Sequence, residues 1–203
     1  AMVVGNLVYT SGQIPLDPQT GAMVAMDPYT GRVLGMVSIP QYNLSMFNDG
    51  KVDPTLWNQV LEGENPLLNR AIGTKDAPGS IFKLCTALGG LSEGVITTDE
   101  IINDRAEGFT ETNADRPAKC WTSTPEDHQN QNLEKALKNS CNMYFYTVGY
   151  RLGIERLYQW AAALGLTSKT NIELPGEATS FVGNQHMLYD PENSPTWQNT
   201  AKP

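Results

Sequence analysis

Two short apolar runs, GAMVAMD and GRVLGMVSI, are separated by Pro28-Tyr29-Thr30, with Asp27 before the break and Gly31 after it. Proline presets φ at the second position of a turn and glycine closes it, so this is a β-hairpin with a mechanism. The spacing predicts antiparallel strands over residues 22–27 and 32–38. The turn sequence DPYTG at 27–31 echoes DPQTG at 17–21, and the upstream stretch VVGNLVYTSGQI is β-branched and aromatic up to Pro15. A three-stranded meander over residues 1–40 is therefore expected. The echo occurs once, which does not imply a repeat architecture.

After residue 40 the character changes. Residues 40–79 are rich in Pro, Asn, Asp and Gly and read as loop, with a short helix near LWNQVLE. Over 80–93 the apolar residues Ile81, Leu84, Cys85, Leu88 and Leu91 recur at helical spacing and predict a helix with one apolar face, ended by Gly94. Gly89 and Gly90 cost such a helix about 1 kcal/mol each relative to alanine, which points to close packing at that place. Residues 95–130 are polar and turn-rich. NLEKALKN, MYFYTVGYRLG and IERLYQWAAALG then give three short helical patterns, and LTSKTNIELPGEA a loop with a possible strand. From Val182 onward there is no periodicity, and a weakly ordered tail is expected over 182–203.

The chain has 203 residues, enough for a sizeable core, and a formal net charge of −8. It carries no basic run, so a nucleic-acid partner is not expected, and no apolar stretch long enough to span a membrane. Three cysteines, Cys85, Cys120 and Cys141, do not make a disulfide framework. No C-x-x-C pair is present and the two histidines, His128 and His186, stand isolated, so neither a metal nor another cofactor is expected. Neither histidine has the local context of a Ser-His-Asp triad.

The chemistry is carried instead by PGSIFK, where Ser80 follows a Pro-Gly turn and Lys83 comes three residues later. On a helix both lie on one face, and the helix N-terminus favours a developing alkoxide and oxyanion. Desolvation lowers a lysine pKa and leaves a neutral amine able to take the serine proton. The bland alternative is a helix-capping serine beside a solvated lysine. A second element, Ser140-Cys141-Asn142, falls between two helical segments and points two polar side chains the same way. Cys141 is expected as a small filler rather than a second nucleophile. Tyr144, Phe145 and Tyr146 are expected in the core, and Cys120 and Trp121 near the cleft.

From about residue 21 to 178 the chain resembles the front part of a class B penicillin-binding protein transpeptidase domain. The stretches that carry the resemblance are GAMVAMDPYTGRVLGMVSIP, PLLNRAIG, PGSIFKLCTALGGL, EGVITTDEIIND, ALKNSCNMYFYTVGYRLGIERL and KTNIELPGE, in the family's order. The resemblance implies an α+β fold of the penicillin-binding and serine β-lactamase kind, here without its C-terminal sheet strands. It implies Ser80 as the acylated nucleophile, Lys83 as its general base, and Ser140 and Asn142 as the second active-site element. Substrate and inhibitor would be a peptidoglycan stem peptide and β-lactam antibiotics. The parent protein would act on the extracytoplasmic face of the bacterial membrane, together with membrane proteins of cell-wall synthesis.

The family's third motif, Lys-Thr-Gly, is not matched by Lys169-Thr170-Asn171, which precedes ELPGE far from the catalytic strand. The strand with the third motif supplies one oxyanion-hole donor, and losing such a donor costs about 10²–10³ in rate. The chain by itself is therefore expected to acylate very slowly or not at all. A non-catalytic fragment or chimera, and a serine β-lactamase or β-lactam sensor, are the competing readings. Residues 1–21 resemble a strand-turn segment of the reactive-imine deaminase family without that family's catalytic arginine. The expected organisation is thus a foreign lead-in over 1–21, a partial transpeptidase domain over 22–181 and the tail.

Overall fold

The computed structural model describes residues 2–4, 7–9, 21–47, 50, 52, 54–62, 65–75, 77–111 and 116–183. Most of the expected tail, most of the 1–21 lead-in and His186 lie outside these. The chain divides into two compact units, residues 1–76 with 171–179, and residues 77–170 with 180–203.

In the first unit, β1 (Met2–Val4) pairs antiparallel with β2 (Leu7–Tyr9). The hairpin expected around Asp27 is present as β3 (Gly21–Met26) and β4 (Val33–Ile39), antiparallel, with a register shift between Ala25 and Met26. Asp27 organises the turn. Its carboxylate accepts from Tyr29 N at 2.9 Å and from Thr30 Oγ1 at 2.6 Å, and its carbonyl accepts from Gly31 N at 2.9 Å. The bonds to the carboxylate, that from Thr30 Oγ1 first and then that from Tyr29 N, lower the Asp27 pKa. Gly31 takes φ +72°, which its missing Cβ permits. The meander does not form among the described residues: β1 pairs with β2, and β3 with β4, as two separate two-stranded sheets. A Gly-Asn dipeptide between two β-branched runs favours that local first hairpin.

The loop after β4 contains the short helix expected at LWNQVLE, α1 (Pro54–Glu62), which opens on proline at a position where no intrahelical N–H is needed. The turn-length helix α2 (Arg70–Gly73) follows, capped by Asn69 Oδ1 accepting from Ala71 N at 3.2 Å. Ser38 ties β4 to this segment. Its hydroxyl donates to Leu68 O at 3.1 Å and accepts from Arg70 N at 3.0 Å. Ala178 N donates to Ile72 O at 2.8 Å, and the possible strand in LTSKTNIELPGEA is absent among the described residues.

The second unit is helical. A 3₁₀ turn at Gly79–Phe82 runs directly into α3 (Lys83–Ser92). The three helical patterns form α4 (Leu133–Lys138), α5 (Asn142–Leu152) and α6 (Ile154–Ala163). Helix α5 supplies the centre of the core, with Met143, Tyr144, Phe145 and Val148 buried together with Ala87, Ile96, Phe109, Leu133, Ala136 and Cys141. Tyr144 and Phe145 are core aromatics as expected, whereas Tyr146 is partly exposed and packs against Phe109.

Of the expected apolar face of this helix, Cys85 is buried and the larger residues are not. Ile81, Leu84, Leu88 and Leu91 are 37–60 % exposed, and the buried residues are Cys85, Thr86, Ala87, Gly89 and Gly90. Helix α3 is apolar on more than one side, and the side that packs against α5 and α6 is made of small residues so that the backbones approach closely. A Cβ at Gly90 would stand 2.7 Å from Val148 Cγ1, and one at Gly89 3.0 Å from Leu152 Cδ2 and Trp160 Cδ1. The two glycines thus serve close packing, as their helix-weakening cost implied.

Candidate active site

Ser80 lies in the 3₁₀ turn and Lys83 opens α3 directly after it, so the two side chains stand about one helical turn apart. Pro78 and Gly79, the latter at φ +56°, lead the chain into it. Neither Ser80 nor any other side chain caps the 3₁₀ turn or α3. Among the described residues the Ser80 hydroxyl meets the lysine and a second serine instead of backbone N–H groups.

The structure brings the four candidate residues together. Lys83 Nζ lies 3.2 Å from Ser80 Oγ, 2.9 Å from Ser140 Oγ, 2.8 Å from Ser140 O and 2.6 Å from Asn142 Oδ1. Ser140 Oγ lies 2.9 Å from Ser80 Oγ. The Phe145 ring centroid is 5.8 Å from the ammonium, within cation–π range, so one of the core aromatics also lines the site. Burial lowers the Lys83 pKa from its ordinary 10.5, while charge on the neighbouring Cys120 and Cys141 thiols acts in the opposite sense. An ammonium has three protons for four acceptors, and loss of one gives an amine lone pair that can receive a hydroxyl proton.

Ser140 is held in this place by a backbone device. Helix α4 ends in a Schellman motif: Ser140 N donates to Leu137 O at 3.2 Å and Cys141 N to Ala136 O at 2.9 Å. The residue between cap and exit adopts the left-handed conformation, normally the place of glycine, yet here it is Ser140 with φ +51°. A serine there costs about 1–2 kcal/mol of backbone strain. The reversal places Cys141 at the N-cap of α5 and Asn142 in its first turn, so both polar side chains of the tripeptide reach Lys83. Trp121 clamps the same turn. Its indole Nε1 donates to Asn139 O and Ser140 O, both at 3.1 Å.

Cys141 is fully buried, and burial raises its thiol pKa to about 11, which fits a filler and not a second nucleophile. Cys120 and Trp121 lie beside the four-residue cluster: Cys120 Sγ accepts from Asn142 N at 3.2 Å. His128 is not isolated. It is buried, its ring meets Trp121 edge-on at 5.3 Å, and its Nδ1 lies 3.1 Å from Cys120 Sγ. Cys120, His128 and Cys141 bring their ligand atoms within 4.8 Å of one another, a donor set that could hold a metal ion. Sequence spacing gave no sign of it, because the three residues come from a loop, a 3₁₀ turn and a helix cap rather than from a paired motif.

Solved structures with the same arrangement of chain define the class. Penicillin-binding protein 2 (PBP2) of Pseudomonas aeruginosa, in complex with WCK 5153, superposes with a TM-score of 0.75 at 28% identity, over 86% of this chain and 38% of that one. Penicillin-binding protein A of Mycobacterium tuberculosis, as its penicillin G acyl-enzyme complex, gives 0.68 at 29% identity, over 82% and 39%. A peptidoglycan synthase complex that coordinates polymerization and crosslinking gives 0.67 at 31% identity, over 82% and 28%. The family described as penicillin binding protein transpeptidase domain matches residues 21–194, and the chain belongs to that family. Among curated relatives, the peptidoglycan D,D-transpeptidase MrdA of Acinetobacter baumannii is 33% identical over 171 residues, 83% of this chain and 25% of that protein. The peptidoglycan D,D-transpeptidase PbpA of M. tuberculosis is 33% identical over 157 residues, 74% and 31%. The chain thus spans between a quarter and a third of the length of these relatives. Among the described residues no helix is long and apolar enough to cross a membrane.

Proposed function

We propose that the chain carries the acylation site of a peptidoglycan D,D-transpeptidase, with Ser80 as nucleophile. The observation that supports this most is the closed triangle of Ser80 Oγ, Lys83 Nζ and Ser140 Oγ, with edges of 3.2, 2.9 and 2.9 Å. The neutral Lys83 amine takes the Ser80 proton, directly or through Ser140. The alkoxide adds to the carbonyl of the scissile D,D-peptide bond or of a β-lactam, forming a tetrahedral oxyanion. Its collapse breaks the C–N bond, and the proton returns from Lys83 through Ser140 to the departing nitrogen. The amine of a second stem peptide then attacks the ester and gives a proton to Lys83, the C–O bond to Ser80 breaks, and Lys83 returns the proton to the Ser80 oxygen, which completes the cross-link. Asn142 holds the lysine through its side-chain oxygen, which leaves its NH₂ group as a donor for a substrate carbonyl.

The relatives' names and the acyl-enzyme of a similar solved structure support this reading for a cell-wall enzyme working on the extracytoplasmic side of the membrane. The similar synthase complex supports a polymerising partner for the parent protein. Acylation is expected at a single residue, Ser80, the hydroxyl that meets both Lys83 Nζ and Ser140 Oγ. The test is long incubation with penicillin G followed by intact-mass measurement and peptide mapping. One penicilloyl adduct on Ser80, absent from Ser80→Ala, is the expected result. No adduct on Ser80, or an adduct that persists in Ser80→Ala, refutes the proposal.

A further inference from the structure

We propose, on the reading of Ser80, Lys83 and Ser140 as an acylation site, that Gln131 is a positioning residue for Ser140 and acts through Asn139. Gln131 is 2 % exposed, yet its side chain ends at the turn that carries Ser140. Its Oε1 accepts from Asn139 Nδ2 at 3.0 Å, and Asn139 is both the C-cap of α4 and the residue directly before Ser140. Its Nε2 donates to Gln129 O at 3.0 Å. A main-chain carbonyl can only accept, so that bond fixes which end of the Gln131 amide faces Asn139. Gln129 is anchored in turn, with Nε2 donating to Pro125 O at 2.9 Å and to Asp104 O at 3.0 Å. Three amide side chains thus tie the irregular stretch before α4 to the end of α4.

The fold alone does not call for this amide. The main chain of Gln131 already pairs with Ile102, whose N–H donates to Gln131 O at 2.9 Å, and that bridge asks nothing of the side chain. An apolar side chain of similar size would fill the same space without the cost of desolvating an amide. What a fully paired buried polar chain adds is rigidity and a single arrangement.

Ser140 is the place where rigidity matters. It holds φ +51°, a conformation that serine keeps only where its surroundings over-determine it. The bonds from Ser140 N to Leu137 O and from Cys141 N to Ala136 O define the turn from within α4. From outside α4, Trp121 reaches the Asn139 and Ser140 carbonyls through exposed bonds, whereas the bond between Asn139 and Gln131 is partly buried. Without that bond the end of α4 loosens, and Ser140 Oγ spends less time at 2.9 Å from Lys83 Nζ and Ser80 Oγ. Proton transfer slows in consequence, while the binding of the acyl donor is untouched.

The test uses the whole chain with Gln131→Met and Asn139→Ala, which cut the same bond from its two ends. Backbone hydrogen exchange gives the first readout and needs no acylation. The Ser140 and Cys141 amides should exchange roughly fivefold faster in either variant, with the amides in the middle of α5 unchanged. Penicillin G acylation gives the second. The rate constant at saturation should fall roughly fivefold with the half-saturating concentration unchanged, and the double variant should be no slower than either single one. Exchange that is unchanged at Ser140 and Cys141, or faster throughout the chain, overturns the proposal. So does a parental acylation rate in both variants, or a loss that falls on the half-saturating concentration. A parent chain that leaves Ser80 unlabelled refutes the reading of the site, and the exchange data then decide on the tie by themselves. Asn139→Ala decides where Gln131→Met fails to fold.

Discussion

Ser140 occupies a backbone position built for glycine, and the cost of that choice is measurable. Ser140→Ala and Ser140→Gly both delete the hydroxyl that contacts Lys83 Nζ and Ser80 Oγ at 2.9 Å, so the lost polar contacts cancel between them. The variants differ in the backbone. At φ +51° alanine keeps the left-handed strain of about 1–2 kcal/mol, and glycine has none. Glycine gives back about 0.4–1 kcal/mol through the greater freedom of the unfolded chain. The net expectation is that Ser140→Gly is more stable than Ser140→Ala by roughly 1 kcal/mol, or roughly 2–4 °C in Tm for a chain of this size. Thermal unfolding followed by circular dichroism reads the difference, and penicillin acylation should fall equally in both variants. An alanine variant as stable as the glycine variant would refute the claim that Ser140 is strained. It would also remove the reason to think that the hydroxyl is kept at that place despite its cost.

Other perturbations test the packing and the clamp. Gly90→Ala gains about 1 kcal/mol in helix propensity but drives a methyl group to 2.7 Å from buried Val148, and overpacking costs about 1–3 kcal/mol. The variant should therefore unfold at a lower temperature than the parent, and Val148→Ala should restore part of the loss in a double-mutant cycle. Trp121→Phe keeps an aromatic ring against His128 but deletes the N–H donated to Ser140 O at 3.1 Å. Loss of about 1 kcal/mol of positioning should slow acylation roughly five- to tenfold with little change in Tm, as read by time-resolved mass spectrometry. An unchanged rate would make Trp121 a bystander.

Local chemistry was legible in the sequence, and long-range assembly was legible only in part. The Asp27–Gly31 turn announces its hairpin because the capping carboxylate, the proline and the glycine all act within five residues. Ser80 and Lys83 are one turn apart, so their contact follows from any helical geometry. Their meeting with Ser140 and Asn142 came from the family resemblance. Periodicity marks the apolar face of α3 without saying how much of it is packed. The small residues Cys85, Ala87, Gly89 and Gly90 were the signal for the buried side, which shares only Cys85 with the periodic face. The Cys120–His128–Cys141 cluster left no trace in spacing, because irregular segments place side chains by tertiary packing and not by period.

The central claim is that Lys83, made a weaker base by burial, takes the Ser80 proton. The amine form of Lys83 gains population as pH rises through a value below 10.5. Folding shares the sign: between that value and 10.5 the unfolded chain binds more protons, so this group's contribution to stability rises with pH across the window. The most direct measurement is the rate of Ser80 acylation by penicillin G as a function of pH, with Lys83→Arg as control, since arginine stays charged throughout. The account predicts a rate that climbs with pH to a plateau with its midpoint below 10.5, and a fall of about 10²–10⁴ in Lys83→Arg. A rate that is flat or falls with pH, or a Lys83→Arg variant that acylates as fast as the parent, would contradict it.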